Sequence, residues 1–212
     1  MVIVHHSWKS SPKAGKLFEP HPDNRLTTNI YSTAIDGLLV VVSDMRPDAR
    51  GFFREVAIIP DIDGVTEAPF HSTQVNHAHS EKNVLRGFHI GSWNKLVTVT
   101  SGAALCVLID VRPASPTFLS TEYIQLGYGD QALIGSLFIP KGLANSVCVL
   151  DGPLDYIYVV DKIYKQRSEN EDLAFSLFDP AFGVNWPVPY ESMILSERDR
   201  NAPLLSEIRH LL

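Results

Sequence analysis

Two polar side chains fall where an apolar lining is expected. Successive residues of a strand point to opposite faces, so Lys95, Val97 and Val99 share one face of one segment, and Tyr156, Tyr158 and Val160 share one face of a later one. If both faces turn into a barrel, a lysine and a tyrosine project into an apolar interior, the mixed lining of a ligand pocket. His89 lies just before Lys95 and could exchange a proton near neutral pH. Taken singly, a histidine at a strand edge is more often structural. His77 and His79 share a strand face and could offer two nitrogens to a metal, but a metal needs more ligands than a pair. Cys106 and Cys148 each sit inside an apolar run and read as small core residues, not as a disulfide framework.

The elements that would position these residues are short and β-rich. Leu38–Val42, Leu96–Thr100, Ala104–Val111, Leu137–Ile139, Val147–Leu150 and Leu154–Val160 read as strands, separated in many places by Gly, Pro, Asp and Ser clusters. Many short strands with frequent turns imply a sandwich or barrel. The one convincing helix is Pro203–Leu212, with proline suited to its first turn and leucines on one face. Prolines 12, 20 and 22 break up residues 1–32, which read as an extension or arm ahead of a domain over 33–212.

The 212 residues suffice for one large core, and the 45% hydrophobic and 20% charged composition is that of a globular protein. A net charge of −6 argues against a nucleic-acid partner, but a few arginines in a cleft could still hold a diphosphate. No apolar run reaches the ~20 residues of a membrane span, and none resembles a signal peptide, so the expected location is cytoplasmic.

An ordered set of segments carries a resemblance: Asp48-Ala-Arg-Gly-Phe-Phe-Arg-Glu55, Gln74-Val-Asn76, Asn83-Val-Leu-Arg-Gly-Phe-His89, Lys95-Leu-Val, Asp110-Val-Arg-Pro-Ala-Ser-Pro-Thr-Phe118 and Ile139-Pro-Lys-Gly-Leu-Ala144, followed by Tyr158, Tyr164, Asp179-Pro, Gly183-Val-Asn-Trp-Pro187 and Leu195-Ser-Glu-Arg-Asp199. Together they resemble the dTDP-4-dehydrorhamnose 3,5-epimerases. The resemblance implies a mainly β cupin or jelly-roll barrel and a homodimer. It implies inversion beside the ketone of a nucleotide-linked 4-keto-6-deoxy sugar, with no metal or organic cofactor. By position, His89 matches the base, Asp199 the carboxylate that orients it, Lys95 the group facing the enolate oxygen and Tyr158 the acid on the opposite face. Arg50, Phe53, Glu55, Gln74, Asn76, Arg86, Asn145, Tyr164 and Arg198 match positions around the nucleotide, the diphosphate and the ketone. The chemistry suits these types: a positioned acid or base contributes roughly 10²–10⁴-fold, and an oxyanion donor about 2.7–4 kcal/mol.

The sequence departs from the pattern in four places. Asn145 stands where the family has a histidine. Only Ile90-Gly-Ser-Trp-Asn94 separates His89 from Lys95, a shorter run than usual. Asn76-His77-Ala78 replaces an Asn-x-Ser, and residues 1–32 have no counterpart. These changes suggest another 4-keto sugar, or inversion at one carbon only. The rivals are a metal-dependent cupin built on His77 and His79, for which Glu81 lies too near the pair and Asn145 lacks the imidazole, a non-catalytic sugar-nucleotide binder and a ketoisomerase of the same barrel type.

Overall fold

The computed structural model describes residues 16–168 and 171–212. Its strands are β1 (Ile30–Ser32), β2 (Leu39–Val42), β3 (Met45–Asp48), β4 (Gly51–Arg54), β5 (Gln74–Ser80), β6 (Leu85–Gly91), β7 (Lys95–Asp110), β8 (Thr121–Gly127), β9 (Gly135–Ile139), β10 (Leu143–Val160) and β11 (Asp172–Ala174). Three short α-helices join them: α1 (Ile59–Asp63), α2 (Glu197–Arg200) and α3 (Leu205–Ile208). Nine strands form one sheet in the order β1-β2-β9-β7-β10-β6-β11, with β5 also on β10 and β8 also on β7; β3 and β4 form a separate hairpin.

The barrel arises because β7 and β10 each serve two layers. The first half of β10 pairs with β6 and the second half of β7; its second half pairs with β5 and the first half of β7. At the bend, β7 exposes Thr100 and Ser101, and the β7–β10 register shifts between Val149 and Tyr156. The bend explains one difference from the sequence reading. Each of the two long strands reads as two short ones, because the polar residues that break the apolar run mark a fold in the strand, not its end. The C-terminal helix is also shorter than expected, four α-helical residues followed by a 3₁₀ turn over Arg209–Leu211.

Apolar groups pack on both sides of the sheet, so strands such as β9 are buried at every residue. The interior cluster includes Val97, Val99, Cys106, Leu108, Leu137 and Tyr156. Behind one layer, Phe175, Trp186 and Leu205 of the C-terminal segment cover Phe88, Leu105 and Ile109; Phe88 and Phe175 stack at 4.9 Å. Behind the other, Ile62 of α1 and Phe70 cover Leu39, Val41 and Phe138. Two motifs of the sequence serve this scaffold. Asp110 is fully buried and accepts from Arg112 Nε (2.9 Å), Arg112 Nη2 (2.8 Å) and Thr117 Oγ1 (2.7 Å), which fixes the turn after β7. Asp179 accepts from the backbone N–H of Leu205 (2.8 Å), which ties the last helix down.

Both cysteines are free and buried, as expected, and burial pushes each thiol up to about 12. Of the expected arm, residues 1–15 lie outside the described residues. Residues 16–32 lie against the barrel: Leu17 bridges to Tyr123, and β1 is an edge strand on β2. Among the described residues no helix is long and apolar enough to cross a membrane.

Candidate active site

A cavity of about 320 Å³ opens between the two layers, and His89, Lys95, Asn145, Tyr156 and Tyr158 line it. Register brings them together. Asn145 on β10 is paired with His89 on β6, and Tyr158, further along β10, is paired with Val97 on β7. Gly87 permits the close approach of β6 to β10. Its φ is +122°, and a Cβ there would lie 2.6 Å from the carbonyl oxygen of Asn145.

His89 and Asp199 form the tightest pair in the cavity wall. His89 Nε2–H donates to Asp199 Oδ1 at 2.6 Å. The aspartate side chain is 3% exposed and the histidine 32%. Helix α2 places the carboxylate: Ser196 caps it by accepting from the Asp199 N–H at 3.1 Å. Burial works against ionisation of Asp199, but the hydrogen bond and charge of His89, with hydrogen bonds from Ser196 and the Gly87 backbone, outweigh it and hold the carboxyl below its ordinary range. With Nε2 committed to the carboxylate, Nδ1 is the nitrogen left to take a proton.

Lys95 Nζ donates to Asn145 Oδ1 at 3.3 Å, and Asn145 Nδ2 donates to the carbonyl of His89 at 2.7 Å. Asn145 therefore ties the lysine to the strand that carries the histidine. Burial pulls the Lys95 ammonium down to about 8, helped by the charge of Arg167. The same ammonium lies 5.5 Å from the centroid of the Tyr158 ring.

The other expected residues divide. Arg86, Tyr164 and Arg198 line the cavity. Arg86 Nε donates to Ser80 Oγ at 3.0 Å, and Arg198 Nη2 is held by Asp172 at 2.9 Å. Gln74 and Asn76 bond each other beside the cavity; Gln74 Oε1 accepts from the Tyr164 N–H at 2.8 Å, and Asn76 Nδ2 is buried without a partner. Arg50, Phe53 and Glu55 do not reach the cavity of their own chain. They lie on or just after the β3–β4 hairpin, where Arg50 pairs with Asp48 at 2.6 Å and Phe53 is 61% exposed. His77 and His79, the pair a metal cupin would need, both bond Asp155 Oδ1, at 2.8 and 2.9 Å, and neither lines the cavity. No described group of three His, Cys, Asp or Glu side chains is placed to hold a metal.

Among the cavity residues that the sequence reading did not single out are Trp93, Arg167 and Asp172. The Arg167 guanidinium lies 3.5 Å over the Trp93 ring and 5.0 Å from that of Tyr164. The shortened run after His89 was a visible signal for Trp93. Nothing in the sequence marked Arg167.

A jelly-roll barrel whose interior carries a paired histidine and aspartate, a lysine and a tyrosine belongs with the enzymes that move protons on a bound sugar nucleotide. Comparison with known proteins makes this specific. The description of the dTDP-4-dehydrorhamnose 3,5-epimerase family matches residues 32–207, and the chain belongs to that family of isomerases. The Escherichia coli dTDP-4-dehydrorhamnose 3,5-epimerase is 31% identical over 187 residues, covering 86% of this chain and 97% of that protein. A Legionella pneumophila epimerase solved in complex with dTDP-4-keto-L-rhamnose superposes with a TM-score of 0.76 at 32% identity, covering 87% of this chain and 96% of that one. The Streptomyces bikiniensis 3'-monoepimerase ChmJ, solved with dTDP-quinovose, gives 0.75 at 27%, covering 84% and 89%. The family and the mainly β barrel read from the sequence are both found.

Proposed function

We propose that this enzyme inverts one or both carbons flanking the ketone of a dTDP-linked 4-keto-6-deoxy sugar. His89 Nδ1 takes the proton from the carbon beside the carbonyl, and the buried Asp199 carboxylate stabilises the imidazolium that results. Lys95 supports the oxygen on which the enolate charge collects, and Asn145 aims the lysine. Tyr158 returns a proton from the opposite face, and the Lys95 ammonium near its ring stabilises the phenolate left behind. The observation that carries the reading is the 2.6 Å His89–Asp199 pair in the wall of the cavity that Lys95 and Tyr158 also line.

Arg86, Tyr164 and Arg198 serve the nucleotide and diphosphate in this reading. Arg50, Phe53 and Glu55 make their contacts across a homodimer, because they are exposed on their own chain beside an exposed Phe52. Two free buried cysteines suit a cytoplasmic enzyme. The neutral Asn145 favours inversion at one carbon, since it supplies a dipole where a titratable imidazole would supply a charge.

Product analysis tests this. The protein is incubated with dTDP-4-keto-6-deoxyglucose, the 4-keto group is reduced, and the stereochemistry at C3 and C5 is read by NMR. Inversion at one carbon only is expected. Inversion at both would refute the single-carbon reading, and a Tyr158→Phe enzyme that inverts at the wild-type rate would remove the tyrosine from its role.

A further inference from the structure

Arg167 is a cavity cation with a buried N–H that no protein group accepts. Among the described residues it forms no ion pair, whereas Arg198 is held by Asp172 and Arg86 by Ser80 Oγ and the carbonyl of His79. Its Nη2 makes one long contact, 3.5 Å to the carbonyl of Lys162, and its Nε is buried without an acceptor. Burial works against its charge. A half-buried guanidinium in this condition is stabilised by an anion brought by a ligand.

The surroundings hold it in place. The Arg167 Cζ lies over the Trp93 ring, 3.5 Å from its centroid, a close contact that suits a planar guanidinium better than a lysine ammonium. Gly91 makes room for the indole: a Cβ there would lie 2.5 Å from Trp93 Cε2, so any larger residue must displace the ring. The segment carrying Arg167 is anchored on either side. The Glu171 carboxylate accepts from Ser92 Oγ at 3.0 Å and from the Ser168 N–H at 2.9 Å, and it pairs with Lys162.

Position along the cavity selects the anion. Arg167 is close enough to Lys95 to lower its proton affinity, and it is 5.0 Å from the ring of Tyr164 at the exposed end. It therefore lies between the reacting end and the end open to a nucleoside. In a nucleotide sugar, the group between those two parts is the diphosphate.

We propose that Arg167, held over the Trp93 ring, is a further substrate-contacting residue that takes the diphosphate of the nucleotide sugar. This rests on the nucleotide-sugar reading above, but it concerns an anion and not the reaction. Its test therefore uses inorganic pyrophosphate, dTDP and thymidine as ligands, titrated by calorimetry or by ligand-observed NMR. Arg167→Met keeps an apolar stem on Trp93 and removes the charge. It is expected to weaken pyrophosphate and dTDP about 10- to 100-fold and to leave thymidine within about twofold. Arg167→Lys is expected to recover only part of the loss. Gly91→Ala, which pushes Trp93 aside, is expected to weaken dTDP in the same direction. Combining it with Arg167→Met is expected to give less than the sum, because the indole acts through the arginine.

Pyrophosphate and dTDP affinities that stay unchanged in the Arg167→Met protein would overturn the proposal, as would an equal loss for thymidine, or a wild-type protein that binds neither pyrophosphate nor dTDP. The two readings fail separately. Arg167-dependent pyrophosphate binding without epimerisation would sink the reaction and keep this inference. Epimerisation with Arg167-independent pyrophosphate binding would do the reverse.

Discussion

Replacing Asp199 by asparagine probes the proposed catalytic pair with little change of shape. The carboxylate is 3% exposed and accepts the His89 Nε2–H at 2.6 Å. Asparagine keeps one acceptor oxygen but loses the charge, and its amide places N–H groups where His89 and the Gly87 backbone also present donors. A hydrogen bond to a charged group contributes about 1.5–3 kcal/mol. At about 1.36 kcal/mol per tenfold, its loss from the transition state lowers kcat roughly 10- to 150-fold. A swapped imidazole tautomer would lower it further, towards the roughly 10⁴-fold known for the equivalent change in a Ser-His-Asp triad. KM is expected to stay within about twofold, because Asp199 is not among the residues that line the cavity. Steady-state kinetics on a folded variant, with thermal melting as the control, gives the answer. An unchanged kcat, or a raised KM with kcat intact, would refute the assignment of Asp199 as the group that orients the base.

Other perturbations address neighbouring parts of the site and the scaffold. Burial pulls the Lys95 ammonium down to about 8, so its charged fraction falls as pH rises through that value, and a role for the ammonium predicts that kcat/KM falls with it. Lys95→Gln should be slower and lack that limb; a rate flat to pH 9.5 in the wild type would count against the ammonium. The same lowered value means that the unfolded chain binds more protons between pH 8 and 10.5, so the part of stability due to Lys95 should rise with pH across that window, measured by chemical denaturation against Lys95→Gln. Asn145→Ala removes the 3.3 Å contact with Lys95 and the 2.7 Å bond to the His89 carbonyl, and should lower kcat about tenfold; full activity would show that the lysine needs no alignment. Asp110→Ala leaves Arg112 without its buried partner and should cost about 3 kcal/mol, a drop in Tm of roughly 6–12 °C with activity per folded molecule unchanged. A shift under 2 °C would mean the turn stands without it.

The barrel could be read in advance because its strands are buried on both sides, so their apolar runs are continuous and bounded by turn residues. What the runs could not reveal was that β7 and β10 each pass through the bend as one strand, since a polar interruption looks the same in a fold as at an end. Lys95 and Tyr158 were visible because strand alternation puts each on a face that could turn inward, and His89 because it follows Arg86-Gly-Phe in a segment that resembles the family. Asp199 reaches the same place from a helix 110 positions away in sequence, a contact that no local pattern encodes. Arg50, Phe53 and Glu55 were placed by order along the chain, which says nothing about whose cavity a hairpin faces. Arg167 was missed because a single arginine in a loop between polar neighbours carries no signal until Trp93 is seen beneath it.

Exchange with solvent reads the proton transfer at the sugar itself. The protein is incubated in deuterated water with dTDP-4-keto-6-deoxyglucose, and the sugar protons are followed by NMR, with His89→Asn alongside. Loss of signal from a proton on a carbon flanking the ketone, abolished in the His89 variant, is the predicted result. Exchange that continues undiminished without His89, or its absence in a wild-type protein that binds the sugar nucleotide, would contradict the account.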